Sequence, residues 1–309
     1  MEWRAQGIHR IDTGLHRPGF DAAWLVVEGK RAVFIDCGTS HAVPAMLKAL
    51  EAVGLGPEAV ERVILTHVHL DHAGGVGALL ERLPNARVGV HPRGARHLIN
   101  PARLVESATA VYGEGDMARH YGTIVPVPAH RLDEIADSQT LLLGERELFC
   151  LHTPGHAEHH LCIWDARSHS WFTGDTFGIS YRELDGPNGA FIIPTTSPTQ
   201  FDPMSLKTSI TQMMSYRPRA MHLTHYGTVT EPVRLAASLL AQIEDIAGLA
   251  LRETHTANRE NVLHRVLSGY WQECAVAAGL DAQRVMEVLA IDIRLNAQGL
   301  VCWLERIKR

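Results

Sequence analysis

The segment Thr66-His67-Val68-His69-Leu70-Asp71-His72 places three imidazoles and a carboxylate within six residues, all of them donors that a zinc-like cation accepts. A turn at the end of a strand can aim alternate side chains of such a run into one pocket. Ala73-Gly74-Gly75 follows, where little side-chain bulk would obstruct an ion. A histidine-rich run can also be a surface accident, but this one is preceded by Val63-Ile64-Leu65-Thr66, which reads as a buried strand. Three more donors stand in comparable places: His156 in Thr153-Pro154-Gly155-His156, Asp175 in Phe172-Thr173-Gly174-Asp175-Thr176, and His225 in Leu223-Thr224-His225-Tyr226-Gly227. Each follows a segment of strand character, and ligands on strand ends are held with the rigidity that catalysis requires. Singly, each is an ordinary core histidine or surface aspartate. In this order, behind the first cluster, they imply a metal site.

The elements that must carry these donors are legible in outline. Residues 24–28 and 32–36 read as a hairpin with Gly29 at its turn. Residues 41–53 have helical spacing, stopped by Gly54 and Pro57. A strand at 88–90 and a helix near 93–99 come next. Residues 100–130 look irregular, a lid or substrate-side insertion. Strands resume at 140–143, 148–151, 161–164 and 170–173, with a loop at 177–203, a helix at 204–214 and a strand at 220–223. From Glu231 the spacing of Leu235, Leu239, Leu240, Ile243 and Ile246 is helical. Residues 262–274 and 285–293 read likewise, and 300–307 as a further helix or short strand. The organisation expected is a catalytic domain at 1–230 and a helical extension at 231–309.

Composition narrows the class. Hydrophobic residues at 46% and charged residues at 20% describe an ordinary globular chain rather than a disordered one. A net charge of −5 gives no support to nucleic-acid binding, which usually needs a basic face, so no nucleic-acid partner is expected although a local basic patch stays open. No apolar run is long enough for a membrane span, and Met1-Glu2-Trp3-Arg4 lacks a signal-peptide pattern, so the cytoplasm is the expected compartment. Five scattered cysteines (Cys37, Cys150, Cys162, Cys274, Cys302) without a C-x-x-C pair read as free thiols.

With those residues in view, the chain resembles the metallo-β-lactamase-fold hydrolase superfamily over roughly residues 5–230. Its T-H-x-H-x-D-H element matches Thr66 to His72 at every position, and the later His, Asp and His elements are present. The resemblance implies an α/β fold, an αββα sandwich, followed by the helical extension. It also implies a dinuclear centre in which His67, His69 and His156 hold one ion, Asp71, His72 and His225 the other, and Asp175 bridges both. Zinc is the default cofactor because it suits imidazole and carboxylate alike, while manganese, iron or cobalt accept the same donors. A water shared by two dications becomes hydroxide near neutral pH and would attack a carbonyl, with Asp71 passing a proton to the leaving group.

Fold and metals do not name a substrate. Glyoxalase-II-like thioesterases usually carry a glycine-rich G-G-C-G-R-like stretch where this chain reads Phe177-Gly178-Ile179-Ser180-Tyr181. True β-lactamases typically have cysteine or serine at the place of Asp175, and flavodiiron relatives have glutamate at that of His69. A carboxylic ester, lactone or thioester of a small molecule is the expected substrate, with lactone or ester first. Two other classes stay open: a mononuclear iron enzyme resembling persulfide dioxygenases, using the positions of His67, His156 and Asp175, and a non-catalytic binding or regulatory module. A homodimer through 231–309 is the expected assembly. Among other residues, Asp36 reads as an orienter of a metal-bound histidine or as a turn cap. His159 and His160 read as packing or supporting residues, and His91 and His97 as structural. Tyr112, Tyr121, Phe177, Tyr181 and Phe191 read either as pocket-lining residues or as core or surface residues, and the stretch 194–202 as one that shapes the pocket.

Overall fold

The computed structural model describes residues 2–196 and 198–308, with Glu2 and Tyr112 described by backbone alone. They fall into two compact units, one of 1–152, 159–174 and 219–228, the other of 153–158, 175–218 and 229–309. The first unit contains two six-stranded mixed sheets. One has the strand order β1 to β6: β1 (Ile8–Asp12), β2 (Ala22–Glu28), β3 (Arg31–Ile35), β4 (Val60–Ile64), β5 (Arg87–Val90) and β6 (Leu132–Glu134). The other runs β12 to β7: β7 (Gln139–Leu143), β8 (Arg146–His152), β9 (Leu161–Asp165), β10 (Ser170–Gly174), β11 (Ala220–Leu223) and β12 (Gly227–Val229).

Alternation along the strands explains why they read so plainly as apolar runs. Side chains at successive positions face opposite sides of a sheet. Ala23, Leu25, Ala32, Phe34, Val63 and Val88 enter a core shared with Met46, Leu50, Val76, Leu79 and Leu98 of the flanking helices. Their neighbours Trp24, Val26, Val33, Ile35 and Ile64 enter a second core with Leu148, Cys150, Leu161, Ile163 and Phe172 of the other sheet. The first sheet is therefore buried on both faces, one against helices and one against the second sheet.

Several elements differ from the sequence reading. Residues 100–130 are largely helical rather than irregular, with helices at Ala102–Tyr112 and Glu114–Asp116 and a π turn at Met117–Tyr121. Leu104, Val105 and Ala108 supply the apolar spacing and pack with Leu70, Met117 and Tyr121. In the second unit, the helices after Glu231 are Pro232–Arg252, Arg259–Ala277, Ala282–Val288 and Ala290–Ile307. The expected helix at 285–293 is split at Leu289, and 300–307 belongs to one long helix that buries Gly299 in its interior. The five cysteines are free thiols, with Cys37, Cys150 and Cys162 buried. Among the described residues, no helix is long and apolar enough to cross a membrane.

One buried group makes the fold acid-sensitive. His222 of β11 is enclosed by Trp3, Trp24 and Phe172 at ring separations of 4.7 to 5.0 Å. Its nitrogens bond the hydroxyls of Ser170 and Thr228, each at 2.9 Å. Burial pushes its pKa down from 6.5 to about 3. The folded protein keeps this imidazole neutral while the unfolded chain protonates it, so stability falls as pH drops from 6.5 toward about 3. At about pH 5 the expected loss from this residue is on the order of 2 kcal/mol. Urea unfolding at neutral pH and near pH 5 should give a smaller acid-induced loss for His222→Gln than for the parent chain. Equal losses would remove His222 as the cause.

Candidate metal centre

The donors of the first unit are aimed by a buried carboxylate. β3 leads into Asp36, which turns the chain sharply with a φ of 56° and is 1% exposed. Asp36 accepts hydrogen bonds from the Thr66 amide and hydroxyl and from His72 Nδ1, each at 2.8 Å, and from the Thr224 hydroxyl at 3.2 Å. It thus ties together the ends of β3, β4 and β11. The orienting role anticipated for Asp36 is the one its geometry supports, directed at His72. A carboxylate acceptor fixes the proton of His72 on Nδ1 and gives Nε2 the lone pair. His225 is set the same way, with Nδ1 donating to the Phe20 carbonyl at 3.0 Å. Asp71 Oδ2 lies 3.7 Å from His72 Nε2 and 3.4 Å from His225 Nε2. These three residues offer ligand atoms within 4.8 Å of one another, a cluster capable of holding a metal ion. Beside it, His67 Nε2 and His69 Nδ1 are 2.8 Å apart. The donor chemistry, imidazole with carboxylate, and with the remote ring nitrogens of His72 and His225 committed to protein acceptors, fits a divalent metal ion.

The second unit brings His156 and Asp175 together, with His156 Nε2 3.4 Å from Asp175 Oδ2. The Thr195 hydroxyl stands 2.6 Å from His156 Nδ1 and 3.3 Å from the Asp175 carbonyl. With its single proton given to that carbonyl, the hydroxyl oxygen accepts from His156 Nδ1–H, and Nε2 carries the lone pair on the Asp175 side. Sequence reasoning missed Thr195 as this partner, placing it only in a stretch, 194–202, that could line a pocket; Ser197 of that stretch is outside the described residues. Gly155 holds φ at 136°, and a Cβ there would come within 2.3 Å of the Leu206 backbone. Gly174 is similarly constrained, since a Cβ would meet His160 Nε2 at 2.6 Å and Thr66 Oγ1 at 2.7 Å. Both motif glycines therefore serve close approach.

The remaining residues sort by contact. His160 stacks on His67 at 4.9 Å, and His159 meets His69 edge-on at 5.7 Å. Burial pushes His159 down to about 3, so it is a neutral wall of this cluster. His91 packs against His152 at 4.0 Å and His97 faces His159 at 6.5 Å. Phe177 and Tyr181 are fully buried core side chains, Tyr181 donating to Asp292 at 3.1 Å. Tyr121 packs against Leu70. Phe191 lines a cavity of about 350 Å³ with Gln242, Tyr270 and Cys274. The side chain of Tyr112 lies outside the described ones. Asp21 had no sequence signal. It accepts from the Thr13 hydroxyl, and burial pushes it up to about 7 against the pull of His225 and His72.

The family model for the metallo-β-lactamase superfamily matches residues 16–225. The chain belongs to the metallo-β-lactamase superfamily. As a superfamily member it is 27% identical over 233 residues to the metallo-β-lactamase fold-containing protein ST1585 of Sulfurisphaera tokodaii, covering 74% of this chain and 81% of that protein. A crystal structure of ST1585 matches with a TM-score of 0.68 at 25% identity, over 96% of this chain and 98% of that one. The metallo-β-lactamase family protein TTHA1429 from Thermus thermophilus gives 0.67 at 17% identity over 98% and 94%, a likeness of fold. The acyl-coenzyme A thioesterase MBLAC2 of Gallus gallus is 29% identical over 57% of this chain and 66% of its own length. The hydroxyacylglutathione hydrolase of an Enterobacter strain is 30% identical over 50% of this chain and 45% of its own length. The expected family and its α/β fold with C-terminal helices are thus found.

Proposed function

We propose that this superfamily member is a dinuclear metal-dependent hydrolase that cleaves a carboxylic ester, lactone or thioester of a small molecule. The observation that carries the reading is the Asp71, His72 and His225 cluster, whose two imidazoles each have Nδ1 fixed by a protein acceptor. In this reading His67, His69 and His156 hold one ion, Asp71, His72 and His225 the other, and Asp175 serves both. When bound, such ions, zinc by default, polarise a carbonyl oxygen and lower the pKa of water at the site. The chain's own part is to present neutral imidazoles in one tautomer, to supply carboxylate charge, and to move a proton. Asp71 suits the last task because its side chain is 21% exposed, unlike the buried carboxylate of Asp36. Leu70, between His69 and Asp71 in the chain, is anchored by packing with Met117 and Tyr121. The name of MBLAC2, an acyl-coenzyme A thioesterase, favours a thioester over the lactone expected from sequence.

Metal content of the purified protein, measured by plasma mass spectrometry, together with a panel of thioester, ester, lactone, β-lactam and phosphodiester substrates, tests the proposal. About two zinc-like ions per chain with cleavage of a carbonyl substrate is expected. One iron per chain, no hydrolysis, and oxygen uptake on a persulfide would overturn it.

A further inference from the structure

We propose that Asn296, on the C-terminal helix Ala290–Ile307, is a positioning residue for His156, acting through the loop that carries Thr195. The inference rests on the reading of His156 as a metal ligand. Thr195 supplies the acceptor that fixes the His156 tautomer, and both of its neighbours in the chain are clamped by one residue. Asn296 Oδ1 accepts from the Thr196 amide at 2.6 Å, its Nδ2 donates to the Pro194 carbonyl at 3.3 Å, and its own backbone carbonyl accepts from the Thr196 hydroxyl at 2.8 Å. Asn296 is 3% exposed and Thr196 wholly buried. Three bonds from one residue to the two residues flanking Thr195 leave its hydroxyl little freedom to leave His156.

The residue type matters because only a side-chain amide both donates and accepts in this way. Aspartate could keep the bond from the Thr196 amide but would lose the one to Pro194. The helix is itself anchored along the same loop. Asp292, one turn before Asn296 and on the same face, accepts from Tyr181 at 3.1 Å, and Arg306 donates to the carbonyls of Thr199 and Phe201. The C-terminal helix therefore grips the loop at residue 181, at 194–196 and at 199–201. Its contribution to the chemistry is to hold a ligand's orienting partner, at a distance of 100 residues in sequence from Thr196.

The test uses the full chain loaded with zinc, and with cobalt for absorption spectroscopy. Asn296→Ala should weaken one of the two ions about tenfold or more in chelator competition and shift the cobalt spectrum, with the other ion held normally. Asn296→Asp should weaken it less, and carries the test if the alanine variant does not fold. Thr195→Val should show the same loss, and Thr195→Val combined with Asn296→Ala should be no worse than Thr195→Val alone, because both act on one hydrogen bond. Leu300→Ala, a buried change on the same helix, controls for general loosening. The positioning role is overturned if Asn296→Ala lowers the thermal midpoint as Leu300→Ala does while both metal affinities stay unchanged, or if the double variant loses the sum of the two effects. A separate measurement reads the underlying assignment: unchanged metal content in His156→Ala would overturn His156 as a ligand, and the inference with it.

Discussion

Asp36→Ala should cost the protein about 3–5 kcal/mol of folding stability, because it leaves buried donors from three residues facing a void. The Thr66 amide, the Thr66 and Thr224 hydroxyls and His72 Nδ1–H all point at this one carboxylate. Thermal or urea unfolding checks the loss. Asp36→Asn separates structure from chemistry. The amide oxygen can still accept from Thr66, but its NH₂ faces His72 Nδ1–H, donor against donor. Relief comes if the His72 proton moves to Nε2, which is the atom facing Asp71 at 3.7 Å. Asp36→Asn should therefore retain much of the stability yet weaken one metal ion by about 10–100-fold in chelator competition. Wild-type metal affinity in Asp36→Asn would reduce Asp36 to a structural hub.

That tie also marks the boundary of what the sequence discloses. The run from Thr66 to His72 and the positions of His156, Asp175 and His225 are visible because each follows a strong apolar strand, and the strands of the double-faced sheet are the plainest periodic signals in the chain. Partners of those donors are another matter. Asp36 reads in the sequence as an orienter or a turn cap, but not as the partner of His72 in particular, 36 residues away, and His225 finds its acceptor on the Phe20 backbone 205 residues away. A backbone carbonyl has no residue signature at all, and a threonine such as Thr195 has one shared by every surface threonine. Short polar strands are equally silent. β6 is Leu-Asp-Glu, recruited by pairing with β5 at Val88 to Leu132 and by the exposed Arg87–Asp133 ion pair. The helix at Ala102–Tyr112 is obscured by the glycines and prolines after it, although Leu104, Val105 and Ala108 carry its spacing.

Three carboxylates near the same imidazoles illustrate how burial divides labour. Asp36 is enclosed and saturated with donors, so it orients; Asp21 is enclosed with fewer, and burial pushes it up to about 7. Asp71 keeps a partly exposed side chain beside two imidazole nitrogens. Only the last has both reach toward solvent and proximity to the donors, which is what proton transfer to a departing group needs.

Asp71→Asn is consequently expected to lower kcat by about 10²–10⁴-fold, the usual worth of a positioned acid or base, while changing KM much less. Asparagine preserves size and one oxygen, so the packing of Leu70 on Met117 and Tyr121 should survive and the thermal midpoint should move little. Loss of the carboxylate charge also weakens the Asp71, His72 and His225 cluster, so turnover must be measured with metal in excess and stoichiometry determined alongside. With both ions in place and kcat still depressed, the missing proton carrier is the cause. A substrate with a good leaving group, which needs no proton to depart, should recover most of the rate in Asp71→Asn. If good and poor leaving groups suffer alike at full metal occupancy, Asp71 acts as a ligand alone and the proton must come from another group.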